Sequence, residues 1–215
     1  MSTDMFSRLR EFEINHLIDF IRDMCNSLAE DKDSKGEKLP NKENLIRTIL
    51  LEEYIKKAKG MDDYIFLPET PTNYIGGGVY KGRTDLCVLF KTDYSNQNTD
   101  AFFIAECKRL DGNQKLNKSY VNEGIIRFTD DNPKYSTYYG TSMMIGFIVK
   151  PINIEENARK IEDIQNNSAT LSTHGTWKVK DKVGKTERFE CIYCNRHRSI
   201  TLQHLFADFS NIIYT

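Results

Sequence analysis

Three short, continuously apolar segments place the tightest constraint on how this chain can fold. They span residues 84–90, 101–107 and 142–149, and each is rich in strand-forming side chains. Strands that are apolar on both faces are typical of a sheet covered by helices on its two sides. We therefore expect three buried strands, with the polar residues 91–100 as a hairpin loop between the first two.

Amphipathic helical patterns surround these strands. Apolar side chains recur at helical spacing in five further segments, which are residues 6–28, 41–59, 120–129, 154–165 and 202–213. Residues 29–40 are charged, contain Gly and Pro, and are predicted to be a linker, after which Asn41 can cap the second helix. Residues 177–193 predict a hairpin that turns near Gly184. The order helix, strand, strand, helix, strand predicts an α/β fold with a mixed sheet.

The composition is typical of one soluble globular domain. The chain has 215 residues, is 39% hydrophobic and has a net charge of −1, which lowers but does not exclude binding to nucleic acid. It contains no apolar run of about 18 residues and no secretory signal pattern at its start, so we expect no membrane association. Its five cysteines, an odd number, argue against a disulfide scaffold and favour a reducing, cytoplasmic location.

An aspartate begins the first apolar strand, and a glutamate and a lysine lie near the end of the second. Glu106 and Lys108 are two residues apart and project to the same face of the strand, whereas Cys107 points into the core. If residues 91–100 form a hairpin, Asp85 lies beside Glu106 at the strand ends. Paired carboxylates suit Mg²⁺ or Mn²⁺, and Lys108 could orient a water molecule or balance charge on a phosphate.

The alternative interpretation of these residues is a salt-bridged cluster on the surface. Burying an unpaired charge costs several kcal/mol, and charged side chains rarely end an apolar strand such as FFIAE without a partner. The pattern therefore favours a functional site over a surface ion pair.

The segments GRTDL and FFIAECKRL, at residues 82–86 and 102–110, resemble the signature of the PD-(D/E)xK nuclease superfamily, which has the restriction-endonuclease-like fold. The resemblance covers about residues 41–151 and implies a three-layer α-β-β-β-α-β nuclease core with a mixed central sheet. Around this core we expect an extra N-terminal helix and linker in residues 1–40. Residues 152–215 are expected to form a C-terminal hairpin and helix packed on the same domain.

The resemblance also implies which residues perform the chemistry. Asp85, Glu106 and Lys108 would be the catalytic residues, and Asp85, Glu106 and the backbone carbonyl of Cys107 would bind Mg²⁺ or Mn²⁺. Thr84 stands in place of the proline that names the motif, a departure that is common in the family. The implied activity is that of a Mg²⁺-dependent endonuclease of restriction or antiphage defence, with DNA as the favoured substrate.

Cutting both strands of DNA needs two such sites, so the resemblance further implies a homodimer or a subunit of a larger defence complex. Two alternatives stay open at this point. The chain could be a catalytically silent nuclease-fold subunit that binds or scaffolds other components, or its substrate could be RNA.

Several charged residues are candidates for supporting roles. Many family members add a glutamate from the first core helix, and Glu43 and Glu53 lie at or near the apolar face of that helix. The alternative is that Glu43 is simply favourable in the first helical turn and that Glu53 pairs with Lys57. The candidate contacts to nucleic-acid phosphates are Arg83, Arg109, Lys115, Lys118 and Arg127.

Cysteine and histidine residues near the C-terminal end raise a separate zinc hypothesis. The candidate ligands are Cys191, Cys194, His197 and His204, although structural zinc sites need four well-placed ligands and these residues could equally pack as core groups. Glu69 is a further candidate metal ligand, but nothing in its spacing requires that role.

Overall fold

The computed structural model describes residues 3–76, 79–95, 101–135, 137–168, 173–194 and 199–214. Its α-helices are α1 (Thr3–Lys35), α2 (Glu43–Ile49), α3 (Lys91–Ser95), α4 (Gln114–Tyr120), α5 (Ile126–Thr129) and α6 (Ile154–Asn166). Its strands are β1 (Tyr64–Pro68), β2 (Pro71–Gly76), β3 (Val79–Arg83), β4 (Leu86–Phe90), β5 (Phe102–Leu110), β6 (Thr141–Ile148), β7 (Thr173–His174), β8 (Lys178–Val183), β9 (Thr186–Cys194) and β10 (Ser199–Asp208). π-Helical turns at Leu50–Ile55 and Val121–Ile125 extend α2 and join α4 to α5, and Ser210–Ile212 is a 3-10 helix. Among the described residues, no helix has the length and apolar character needed to cross a membrane.

The chain is an α/β protein with a mixed, open sheet. In the described part, an eight-stranded sheet runs in the order β1-β4-β5-β6-β10-β9-β7, with β8 paired to β9 off this path. Strand β6 is parallel to both β5 and β10, whereas the pairs β1–β4, β4–β5 and β9–β10 are antiparallel. The predicted hairpin partners β4 and β5 are therefore neighbours, although their connection begins with the short helix α3 and residues 96–100 lie outside the described part.

Helices cover both faces of the sheet. Alternate residues of each strand point to opposite sides, so each central strand packs against helices on both faces. On one face, Cys107 and alternate side chains of β4, β6 and β10 pack with apolar residues of α1 and α2. On the other face, Ile104, Met144 and Phe206 pack with apolar residues of α4, α5 and α6. The expectation of buried strands between helical layers is thus confirmed.

The prediction of a C-terminal helix over residues 202–213 is wrong. Most of that segment belongs to β10, which lies between β6 and β9 in the sheet. Leu205 packs in the cluster with α1, and Phe206 packs in the cluster with α6. A short segment that is apolar on both faces cannot be assigned to a helix or a strand from periodicity alone. Because β10 pairs with β6, the strands β7 to β10 extend the same sheet that contains β4, β5 and β6.

The prediction of a linker at residues 29–40 is also wrong over much of that range. Helix α1 continues to Lys35, where Gly36 has a φ of 64°, a left-handed conformation that suits glycine at the end of a helix. The charged residues favour helix here because Lys35 pairs with Asp31, one turn earlier, at 2.8 Å. Lys42, not Asn41, directly precedes α2.

Candidate active site

The predicted catalytic residues meet where β4 begins and β5 runs past it. The pairing of the two strands ends at Leu86 with Ala105, and β5 continues to Leu110. Asp85 directly precedes β4, and its Oδ2 accepts a hydrogen bond from the backbone N–H of Cys107 at 2.8 Å. A side chain thus satisfies a backbone donor that a longer β4 would have paired, and this bond fixes the Asp85 carboxylate against β5.

Glu106 and Lys108 project to the same side of β5, as their spacing predicts. Lys108 Nζ lies 2.6 Å from Glu106 Oε1 and 2.9 Å from the carbonyl oxygen of Cys107. Glu106 is 0% exposed and Lys108 is 6% exposed, so solvent does not screen this ion pair. Burial raises the pKa of Glu106 to about 7, with the Asp85 carboxylate adding to the rise and Lys108 opposing it.

Two side chains from outside β5 also hold Glu106. Tyr135 donates a hydrogen bond to Oε2 at 2.7 Å, and Arg127 Nη1 lies 2.9 Å from Oε1. Burial and the neighbouring Glu106 raise the pKa of Tyr135, so its hydroxyl stays protonated and donates. Sequence reasoning placed Arg127 among the phosphate contacts and missed Tyr135, which lies in a loop where no periodic pattern gives a signal.

Glu43 of α2 approaches Lys108 and the backbone of β5. Its Oε1 lies 3.4 Å from Lys108 Nζ, and its Oε2 accepts a hydrogen bond from the Arg109 N–H at 3.0 Å. Burial tends to lower the pKa of Lys108, but the carboxylates of Glu106 and Glu43 outweigh it and raise that pKa above its usual value. Lys108 is therefore an ammonium group at neutral pH, able to donate hydrogen bonds but not to act as a base.

Of the two candidate helix glutamates, Glu43 lies at this site and Glu53 does not. Glu53 is exposed and lies 3.7 Å from Lys32 of α1, whereas the sequence alternative paired it with Lys57. The π-helical turn Leu50–Ile55 explains the difference, because it holds more residues per turn than an α-helix. A projection at 100° per residue from the start of α2 therefore fails at residue 53.

Arg47, which sequence reasoning missed, is the cation that pairs with Asp85. Its guanidinium forms a short ion pair with Asp85 Oδ1 and lies 2.6 Å from Glu69 Oε1. The side chains of Arg47 and Asp85 are only 11% and 14% exposed. The available signal was its position one helical turn after Glu43, on the same face of α2.

These side chains form one charged cluster, which consists of Glu43, Asp85, Glu106, Arg47, Lys108 and Arg127. Its formal charges balance among the side chains themselves.

The oxygens of Asp85, Glu106 and the Cys107 carbonyl suit a hard divalent cation, since Mg²⁺ is commonly bound by one or two carboxylates together with water and substrate oxygens. Within the described ranges, no group of three or more His, Cys, Asp or Glu side chains is arranged as a metal site. The candidate metal ligands are therefore the carboxylates of Asp85 and Glu106 and the carbonyl oxygen of Cys107.

The remaining candidate phosphate contacts divide between two regions. Arg109 donates to the backbone and side-chain oxygens of Asn41 at 2.7 and 2.8 Å, and Arg83 lies 3.8 Å from Glu69. Lys115 and Lys118 are exposed on α4, and Lys118 lines a cleft of about 770 Å³ whose other lining residues include part of α6. The structure thus brings the arginines to the edge of the charged cluster and leaves the two lysines along α4.

The described members of the zinc hypothesis have separate environments. Cys191 is buried and its Sγ lies 3.0 Å from a backbone carbonyl oxygen, whereas Cys194 is exposed. The two residues are three positions apart on β9, so they point to opposite faces of the strand. His204 is buried in the core, and His197 lies outside the described residues. The described residues therefore give no support to a shared zinc site.

His204 is held as a neutral side chain between two tyrosines. Its Nδ1 lies 3.0 Å from the Tyr120 hydroxyl and its Nε2 lies 3.2 Å from the Tyr193 hydroxyl. Its ring also stacks on Trp177 at a centroid distance of 3.9 Å. A neutral imidazole offers one donor and one acceptor to such partners, and burial lowers the pKa of His204 to about 3.

We expect His204 to make the protein less stable as the pH falls below about 6.5, the usual pKa of an unfolded histidine. The unfolded chain then takes up a proton, whereas the folded chain resists protonation until the pH nears the lowered pKa of about 3. The free energy of unfolding should therefore fall by at most about 1.4 kcal/mol per pH unit from this residue. Urea unfolding between about pH 7 and about pH 5 should show a steeper decline for the wild type than for His204→Gln, which keeps the same carboxylates. Parallel profiles would contradict a buried neutral histidine.

Comparison with known proteins does not assign this chain to a family. No family model matches it, and neither the curated proteins nor the solved structures give a match. The functional argument therefore rests on the charged cluster and on the elements that build it.

Proposed function

We propose that this protein is a metal-dependent nuclease that hydrolyses phosphodiester bonds, with DNA as the favoured substrate. The observation that carries the proposal is the fully buried Glu106, held by Lys108 beside Asp85 where β4 meets β5. A buried ion pair is often no more stabilising than apolar residues of similar volume. A charged cluster kept at this position is therefore better explained by chemistry than by folding.

The order of elements around the cluster supports a restriction-endonuclease-like arrangement. Along the chain, α2, β1, β4, β5, the α4–α5 helix and β6 follow one another as α-β-β-β-α-β, with the pair β2–β3 inserted after β1. The strands β1, β4, β5 and β6 are also neighbours in that order within the sheet. This agreement adds to the resemblance carried by GRTDL and FFIAECKRL.

Each side chain has a distinct role in this proposal. Asp85, Glu106 and the Cys107 carbonyl would hold Mg²⁺ or Mn²⁺, and a divalent cation bound there supplies Lewis-acid stabilisation of charge on the phosphate and the leaving oxygen. Lys108 stays protonated, so its ammonium group orients the attacking water and offsets negative charge near phosphorus. Tyr135 keeps the Glu106 carboxylate in one orientation by its hydrogen bond.

One observation favours a second candidate, a catalytically silent nuclease-fold subunit. Both carboxylates already pair with guanidinium groups, Asp85 with Arg47 and Glu106 with Arg127. A subunit of this kind would bind nucleic acid or a partner chain without cutting.

A catalytic protein, by contrast, would act on both strands of a duplex as a homodimer or within a larger complex.

Cleavage assays separate these functions. We expect purified protein to nick or linearise supercoiled plasmid in Mg²⁺ or Mn²⁺ and to leave it intact in EDTA, because the carboxylates need the cation to stabilise charge on the phosphate. Linear duplex DNA and RNA, tested side by side, define the substrate, and cleavage of RNA alone would keep the chemistry but change the substrate class. If none of these is cut in either metal while binding persists in a gel-shift assay, the silent subunit replaces the nuclease.

A further inference from the structure

Arg47 pairs with the Asp85 oxygen that the backbone of β5 does not contact. Oδ2 of Asp85 accepts the Cys107 N–H at 2.8 Å, and Oδ1 forms the ion pair with Arg47. A guanidinium and a divalent cation repel each other strongly when they contact one carboxylate in a partly buried site. A divalent cation that binds Asp85 therefore competes with Arg47 for this carboxylate.

Glu69 gives the Arg47 guanidinium a second anchor at the edge of the site. Glu69 Oε1 lies 2.6 Å from Arg47, and the φ of Glu69 is 44°, a left-handed conformation that residues with a side chain adopt rarely. Such backbone strain persists where the surrounding structure enforces it, often at functional sites. The ion pair with Glu69, whose side chain is 52% exposed, leaves Arg47 a partner at the edge of the site when the contact with Asp85 is broken.

We propose that Arg47 is a resident counter-ion of Asp85 that the divalent cation displaces, and that this exchange sets the metal affinity of the site. The inference rests on the proposed nuclease function, since both use the same donor set. In the free protein Arg47 neutralises Asp85 and links α2 to the start of β4. When the cation takes Oδ1, Arg47 remains with Glu69. Arg47 is thus a positioning residue that acts through Asp85.

Calorimetric titration with Mn²⁺, without nucleic acid, tests this exchange. Arg47→Gln removes the competing cation and should bind Mn²⁺ about tenfold more tightly than the wild type, equivalent to about 1.4 kcal/mol. Arg47→Lys keeps a positive charge but not the planar fork that reaches both Asp85 and Glu69, so its affinity should fall between the two. The matched control is Arg159→Gln on α6, which removes an arginine that is 76% exposed and lies 3.9 Å from Glu155. Because solvent screens that charge, its Mn²⁺ affinity should stay within about twofold of the wild type.

Three outcomes would overturn the inference. The first is Mn²⁺ binding by Arg47→Gln that is no tighter than that of the wild type. The second is equal tightening by Arg159→Gln, which would reflect net charge alone. The third is no Mn²⁺ binding by any of the proteins. Thermal unfolding monitors the fold, and if Arg47→Gln does not fold, the affinity of Arg47→Lys decides by the same criterion. The plasmid assay reports separately on the nuclease. Tighter binding without cleavage would keep the counter-ion role and reject the nuclease, and cleavage without tighter binding would do the reverse.

Discussion

Lys108→Met should lower the rate of phosphodiester cleavage by about 10²- to 10³-fold, the usual effect of removing one charge-stabilising donor. The ammonium group lies 2.6 Å from Glu106 and 2.9 Å from the Cys107 carbonyl, so it is fixed beside the oxygens that would hold the metal. Methionine preserves most of the side-chain volume but neither the charge nor the donors. Initial rates of plasmid nicking at saturating Mg²⁺ give the ratio directly.

The matched control for this substitution is Lys35→Met, which removes an exposed lysine near the end of α1. Lys35 pairs with Asp31 of its own helix at 2.8 Å and takes part in none of the ion pairs of the charged cluster in the described part of the chain, so the cleavage rate should stay at the wild-type level. In Lys108→Met, Arg127 and Tyr135 still hold Glu106, and the circular dichroism spectrum should show a folded protein. A folded Lys108→Met that cuts at the wild-type rate would show that the catalytic site lies elsewhere.

Phe206→Ala should reduce the free energy of unfolding by about 3–5 kcal/mol, as expected when a large buried ring is truncated and leaves a cavity. Phe206 of β10 is 1% exposed. Its ring centroid lies 5.5 Å from that of Phe189 on β9 and 5.7 Å from that of Tyr120 on α4. Phe206 therefore packs α4 against the β9–β10 part of the sheet. Such a loss is a large part of the stability of about 5–15 kcal/mol that domains commonly have. Urea denaturation followed by circular dichroism measures it.

The control for the core substitution is Ile192→Ala on the neighbouring strand β9, where the side chain is exposed. Its effect should lie within about 0.5 kcal/mol, as for most surface positions. If Phe206→Ala costs no more than Ile192→Ala, the Phe206 ring does not pack in the core and β10 does not lie in the centre of the sheet.

The local sequence pattern was sufficient to predict the secondary structure of segments whose burial follows one regular period. Strands β4, β5 and β6 are apolar on both faces because helices cover both sides of the sheet, and α6 was found from its amphipathic spacing. The same reasoning failed for β10, since Leu205 and Phe206 fit a buried helix and a buried strand equally well. The choice between them came from pairing with β6, which is distant in the chain.

The candidate site divides in a similar way. The shared face of Glu106 and Lys108 follows from the two-residue period of a strand, and the place of Asp85 follows from the antiparallel pairing of β4 with β5. The partners of these carboxylates do not follow from any local rule. Arg47 reaches Asp85 from 38 residues away, and Tyr135 reaches Glu106 from 29 residues away. Glu53 follows Glu43 by ten residues, about 15 Å along a helix axis at 1.5 Å per residue, and it pairs with Lys32 of α1 instead.

The sequence by itself determined that Asp85 begins one buried strand and that Glu106 and Lys108 share one face near the end of the next strand in the chain, because the apolar runs and the alternation of side chains require no distant contact. Only the tertiary structure decided how those charges are balanced. Burial of Glu106 requires compensating donors, and the fold supplies them by bringing α2, β5 and the loop after α5 to one point. It also placed Arg47 on Asp85, an ion pair between a candidate catalytic residue and a residue that no motif contains.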